Sequence, residues 1–112
     1  MRYLVAVLRP AGWDPASAAD PAVRRDIDAL NDEMKSAGVR VFVGGLQSPA
    51  TALSLRRQPN GELIINAGSQ PKTSEYLDGF WVLETTGLDA ALAWGRKAAA
   101  ACRASIEVRP FH

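Results

Sequence analysis

Residues 79–109 constrain this chain most, because they alternate between the two hydrophobic periods with almost no spacer. Gly79 to Thr85 is an aromatic and β-branched run, which favours a strand, and Gly87 breaks it. From Leu88 to Cys102 the apolar residues Leu88, Ala91, Leu92, Gly95, Ala98, Ala99 and Cys102 fall within one arc of a helical wheel. The alanines and Gly95 on that helix permit close approach to a sheet. Ser105 to Arg109 then alternates polar with apolar, as a half-buried strand does. A strand, a helix and a strand in 31 residues require a sheet with a helix laid across it.

The N-terminal half repeats the plan. Residues 2–9 are rich in Val and Leu and are stopped by Pro10, which reads as a buried strand. Asp20-Pro21 starts a helix: the Asp side chain can accept from orphan amides, and proline loses nothing at the first helical position. Val23, Ile27, Leu30 and Met34 give that helix one apolar face, and Gly38 supplies the left-handed residue that ends it. Residues 39–43 alternate as a second strand, and Gly44-Gly45 marks a bulge or a close backbone approach. Residues 52–57 and 62–66 flank Pro59-Asn60-Gly61, a hairpin turn. Residues 67–77 are polar and contain Pro71, so they read as a loop. Trp13, in the Pro- and Gly-containing loop after the first strand, either covers a core edge, or lids a pocket or meets a partner.

The order β-α-β, hairpin insertion, β-α-β predicts one α+β domain over residues 1–112, in the ferredoxin-like arrangement with both helices on one sheet face. The opposite face would carry the alternate strand phase, with Tyr3, Val5 and Val7 as candidates. These are too apolar to leave in water, so a second copy of the chain is expected against them.

Composition narrows the function classes. Net charge is +1 with both signs interspersed, and Arg24-Arg25, Arg56-Arg57 and Arg96-Lys97 lie on separate elements, unlike the basic face of a nucleic-acid binder. No apolar run reaches the ~18–20 residues that span a bilayer. The single Cys102 cannot form an internal disulfide, and it reads as a small buried hydrophobe in a cytoplasmic protein. One His and one Cys fall short of any metal site, and no phosphate-binding loop is present, so neither metal nor other cofactor is expected.

Five segments in order resemble the YCII-related, or DGPF, domain family of small bacterial proteins. They are residues 2–8, residues 37–51 (Ala37-Gly38-Val39 to Gly45-Leu46-Gln47-Ser48-Pro49-Ala50-Thr51), Leu77-Asp78-Gly79-Phe80, residues 88–94, and Ile106-Glu107-Val108-Arg109-Pro110. The resemblance implies a dimeric α+β barrel. It also exposes two departures. Ala67 stands where the DGPF motif has its aspartate, and the region near Ile27 lacks the histidine common in the family's first helix. The only histidine is His112. An imidazole oriented by a carboxylate would be the family's base, and this chain has neither member of that pair.

The remaining chemistry lies in carboxylates. Asp78 and Glu107 are the catalytic candidates, with Tyr3, Trp81, Glu84 and Arg109 as candidate pocket residues. If Ile106 and Val108 face the helices, Glu107 points to the opposite face, where it would be desolvated unless paired with Arg109 or Arg2. Two expectations follow. One is a cytoplasmic homodimer that binds a small aromatic or apolar ligand or acts as an accessory or regulatory protein. The other is a cofactor-independent lyase or isomerase, resembling a dehydrochlorinase, with Asp78 or Glu107 as general base.

Overall fold

The computed structural model describes residues 1–68 and 74–112. Its elements are β1 (Arg2–Pro10), α1 (Pro21–Ser36), β2 (Arg40–Gly45), β3 (Leu53–Arg57), β4 (Leu63–Ala67), β5 (Glu75–Glu84), α2 (Leu88–Cys102) and β6 (Ser105–Pro110), with short 3₁₀ turns at Pro15–Ala19 and Pro49–Thr51. The class is α+β. Four strands form an antiparallel sheet in the order β2-β5-β1-β6, and β3 and β4 form a separate two-stranded ribbon. Among the described residues, no helix is long and apolar enough to cross a membrane.

Local chemistry sets the ends of α1. Asp20 Oδ1 accepts from the Ala22 amide at 2.8 Å, and Pro21 opens the first turn. At the other end Gly38 has φ +71°, and the Gly38 and Val39 amides donate to the Lys35 and Met34 carbonyls at 3.0 and 3.1 Å. This double closure satisfies carbonyls that would otherwise be orphaned. The last helix ends differently, on Arg103 in the left-handed conformation.

Both helices cover one face of the sheet. The core joins Val5 and Val7 of β1, Trp81 and Leu83 of β5, Leu30 and Met34 of α1, and Ala98, Ala101 and Cys102 of α2, with Ile106 and Val108 packed against it. Gly95 permits the close approach: a Cβ there would stand 2.8 Å from a Val108 methyl. The helical stripe is rotated from the one expected. Ala101 is buried, while Leu88 and Leu92 are exposed.

The strand phase of β1 is also the reverse of the expected one. Tyr3, Val5 and Val7 face the helices, and the same register puts Leu4, Ala6 and Leu8 on the open face beside Val82 and Phe80. Both phases of β1 are apolar, so alternation alone could not choose between them. The open face is therefore still apolar, with Phe42 exposed and its ring 5.9 Å from that of Phe80.

Two further boundaries differ. The start of β5 lies at Glu75, inside residues expected to be loop, because Glu75, Tyr76 and Leu77 pair with Pro10, Arg9 and Leu8. Asp78 is skipped in that register and forms a bulge. Gly79 sits where β2 crosses closest, and a Cβ there would be 2.8 Å from the Gly44 carbonyl oxygen. That is the close backbone approach the Gly44-Gly45 pair predicts. The turn at Pro59-Asn60-Gly61 closes the ribbon, with Gly61 at φ +88° and Asn60 Oδ1 accepting from the Glu62 amide at 3.0 Å.

Candidate functional site

One end of the sheet gathers the loops that leave β1 and β2 and the first residues of β5. Between them lies a cleft of about 930 Å³. Its walls include Trp13, Leu46, Pro49, Tyr76 and Leu77, with Gln47, Ser48 and Thr51 as polar members. The loops are shaped locally: Asp14 Oδ1 accepts from the Ala16 amide at 3.0 Å, and Ser48 accepts from the Ala50 amide at 3.3 Å and, through its carbonyl, from the Thr51 hydroxyl at 2.8 Å. Leu46 is held in place by its amide, which donates to the Asp78 carbonyl at 2.8 Å.

Beneath Trp13 is a buried cation. Arg9 is 3% exposed, and its guanidinium carbon lies 4.1 Å from the centre of the Trp13 ring. It donates through Nη1 to the Cys102 and Arg103 carbonyls at 2.7 and 3.1 Å, and through Nε to Asp78 Oδ2 at 3.2 Å. Arg9 thus caps the C-terminus of α2, the negative end of the helix, and Asp78 balances its charge. Burial pushes the Cys102 thiol above its ordinary value, against an opposing pull from Arg9. Cys102 is a hydrophobe in the core, as expected of it.

The candidate residues do not form one constellation. Asp78 is near the cleft, on the bulge between Leu77 and Gly79, with its carboxylate committed to Arg9. Glu107 lies on the open sheet face opposite Ala6 and is ion-paired with Arg109, whose Nε donates to Glu107 Oε1 at 2.8 Å. Glu84 is also on the open face, with Arg2 Nε 3.5 Å from its Oε2. Tyr3 and Trp81 are on the opposite face, against the helices. The Tyr3 hydroxyl meets Met1 Sδ, and Trp81 Nε1 donates to Asn31 Oδ1 at 3.0 Å. They cannot wall a pocket that contains Glu84 and Arg109, because the reversed phase of β1 carries both rings into the core. Glu84 and Arg2 instead rim a second, shallower depression of about 560 Å³ with Phe42, Val82, Phe111 and His112. The Phe111 amide pins this end by donating to the Arg2 carbonyl at 3.0 Å.

No family model matches the chain. An uncharacterized protein of Rhizobium meliloti (strain 1021) is 36% identical over 94 residues, which span 82% of this chain and 75% of that protein. The chain belongs to the family of that protein. Ala67, which the resemblance to DGPF domains sets against an aspartate, ends β4, and Gly68 follows at φ +87°, while Ser69 and Gln70 lie outside the described residues. Ile27, which the same resemblance sets near a histidine, packs against the core, and its carbonyl accepts from Asn31 Nδ2 at 3.1 Å.

Arg9 and the cleft were absent from the sequence expectation. A partial signal for Arg9 exists: it continues the Tyr3, Val5, Val7 phase at the same two-residue step and so shares their face, although alternation does not say which face the helices cover. The cleft has no such signal, because its walls come from three segments far apart in the chain.

Proposed function

We propose that this chain is a YCII-related protein, a cytoplasmic homodimer of ferredoxin-like subunits that binds a small aromatic or apolar ligand at the loop end of the sheet. The strand order β2-β5-β1-β6 supports the ferredoxin-like half of this reading, because it sets the first strand between the third and fourth major strands. The uncovered apolar face with Phe42, Phe80 and Val82 supports a partner subunit there. A lone, buried cysteine suits a reducing compartment.

The observation that carries the binding reading is the Trp13 cleft. It has the size of a ligand pocket, aromatic and aliphatic walls, and a few polar groups that can orient a guest. Trp13 is already braced from below by Arg9, so its ring is presented at little further cost in side-chain freedom. Titrating ¹⁵N-labelled protein with phenol or benzoate should move the Trp13 indole resonance and the Leu46 and Tyr76 amides together. The same titration on Trp13→Ala should leave Leu46 and Tyr76 unmoved. Equal shifts in both proteins would refute this site.

The lyase or isomerase reading has one observation in its favour, which is that Asp78 stands beside the cleft wall at Leu77. Its carboxylate is engaged by Arg9, and that of Glu107 by Arg109, so both candidate bases are held as ion pairs. With both carboxylates occupied by guanidinium partners, the geometry supports binding better than proton abstraction. Turnover of a bound ligand that survives in the wild type and vanishes in Asp78→Asn would reverse this preference.

A further inference from the structure

The chain exposes more surface than its mass requires. Its accessible area is 7380 Å², whereas a folded 12.0 kDa monomer exposes roughly 6,000 Å². Its radius of gyration is 15.9 Å, against about 13 Å for a compact chain of this length. The β3–β4 ribbon, a two-stranded sheet of its own, contributes to that excess. Its strands pair with each other, and among the described residues no other helix or strand packs extensively on them.

That ribbon is two-sided in chemistry. The register Leu53↔Ala67, Leu55↔Ile65, Arg57↔Leu63 places Leu53, Leu55, Leu63 and Ile65 on one face, at 69, 59, 56 and 65% exposure, with Ala67 and, at the turn end, Arg57. Ser54, Arg56 and Asn66 share the other face with Ile64. A lone two-stranded ribbon is marginally stable in water, and four exposed aliphatic side chains on one side make it a poor free surface.

We propose that the ribbon is an exchanged arm. Its Leu53, Leu55, Leu63 and Ile65 face packs on the open sheet face of a second copy of this chain, around Phe42, Phe80 and Val82, and the partner returns the contact by two-fold symmetry. The inference rests on the homodimer reading and adds to it the surface that closes the dimer.

Two observations commit the arm to a second copy. First, one chain carries both halves of the contact, an aliphatic ribbon face and an aliphatic and aromatic sheet face, as a self-complementary two-fold interface requires. Second, the surplus surface is large enough. The surface in excess of a compact monomer is about 1,400 Å² per chain, and a standard interface takes about 800 Å² from each partner. Sheet-to-sheet contact alone would leave both arms wet.

The test uses differently tagged copies of the full chain in a Cys102→Ser background, one carrying Leu55→Cys and the other Val82→Cys or Phe42→Cys. After mixing, a short thiol crosslinker should join the two tags. In parallel, Leu55→Asp with Ile65→Asp should weaken the dimer at least about ten-fold, as loss of central contacts does, with the far-UV spectrum unchanged. Because none of the core residues comes from the ribbon, these variants keep the core intact. A wild-type dimer with no cross-tag product, and with a dissociation constant that the double Asp variant shifts by less than about two-fold, would overturn the arm and leave the homodimer standing. A wild-type monomer at micromolar concentration would overturn both.

Discussion

Replacing Arg9 with methionine removes the donor that ends α2 while keeping most of the side chain's apolar stem. The guanidinium is buried and spans three acceptors: the Cys102 and Arg103 carbonyls at 2.7 and 3.1 Å, and Asp78 Oδ2 at 3.2 Å. Hydrogen bonds to charged groups contribute about 1.5–3 kcal/mol each, and the two carbonyls would lose their donor at the sheet. Asp78 is 29% exposed, so water recovers part of its share. Arg9→Met should therefore cost about 3–5 kcal/mol, near the value for breaking a buried pair. Asp78→Asn should cost about 1 kcal/mol, because the amide oxygen still accepts from Nε and the helix cap survives. Arg9→Lys should fall between the two, since an ammonium cannot fork across separate acceptors. Urea unfolding followed by far-UV circular dichroism, at one protein concentration throughout, measures all three. A value for Arg9→Met within about 0.5 kcal/mol of Asp78→Asn would show that the ion pair, and not the helix cap, is what Arg9 supplies.

Two other outcomes follow from the packing. Gly79→Ala should destabilise by about 1–3 kcal/mol, because the added methyl meets the Gly44 carbonyl oxygen and not a movable side chain; an unchanged urea midpoint would contradict the close β2–β5 approach. The Cys102 thiol is raised above 9.0 by burial, so its contribution to stability is fully present below that pH and is lost as the pH climbs from there through the folded-state value. Stability of Cys102→Ala should lack that alkaline decline relative to wild type, and the wild-type thiol should react with Ellman's reagent at pH 8 only after unfolding.

What the sequence disclosed depended on how local the determining chemistry was. The ends of α1 were readable because Asp20, Pro21 and Gly38 act on their own turns. The ribbon was readable because Asn60-Gly61 dictates a turn whatever surrounds it. The phase of β1 was not, because Tyr3, Val5 and Val7 are as apolar as Leu4, Ala6 and Leu8, and only packing against Leu30 and Met34 distinguishes them. The rotation of α2 was similarly hidden: Ala99, Ala100 and Ala101 are equivalent in composition, and their burial depends on where Gly95 meets Val108. The start of β5 needed the partner residues Leu8 to Pro10 to become visible. Of the candidate site, Asp78 and the role of Trp13 as a pocket wall could be named from the chain, while Arg9 and the opposite walls at Leu46 and Tyr76 are long-range consequences of the sheet.

The central claim is that the open sheet face is covered by a second subunit. Sedimentation equilibrium over a wide concentration range tests it most directly. The expected species has twice the 12.0 kDa chain mass, persists on dilution, and dissociates when Phe80 or Val82 is replaced by aspartate. A wild-type chain that sediments at 12.0 kDa across the range would contradict it.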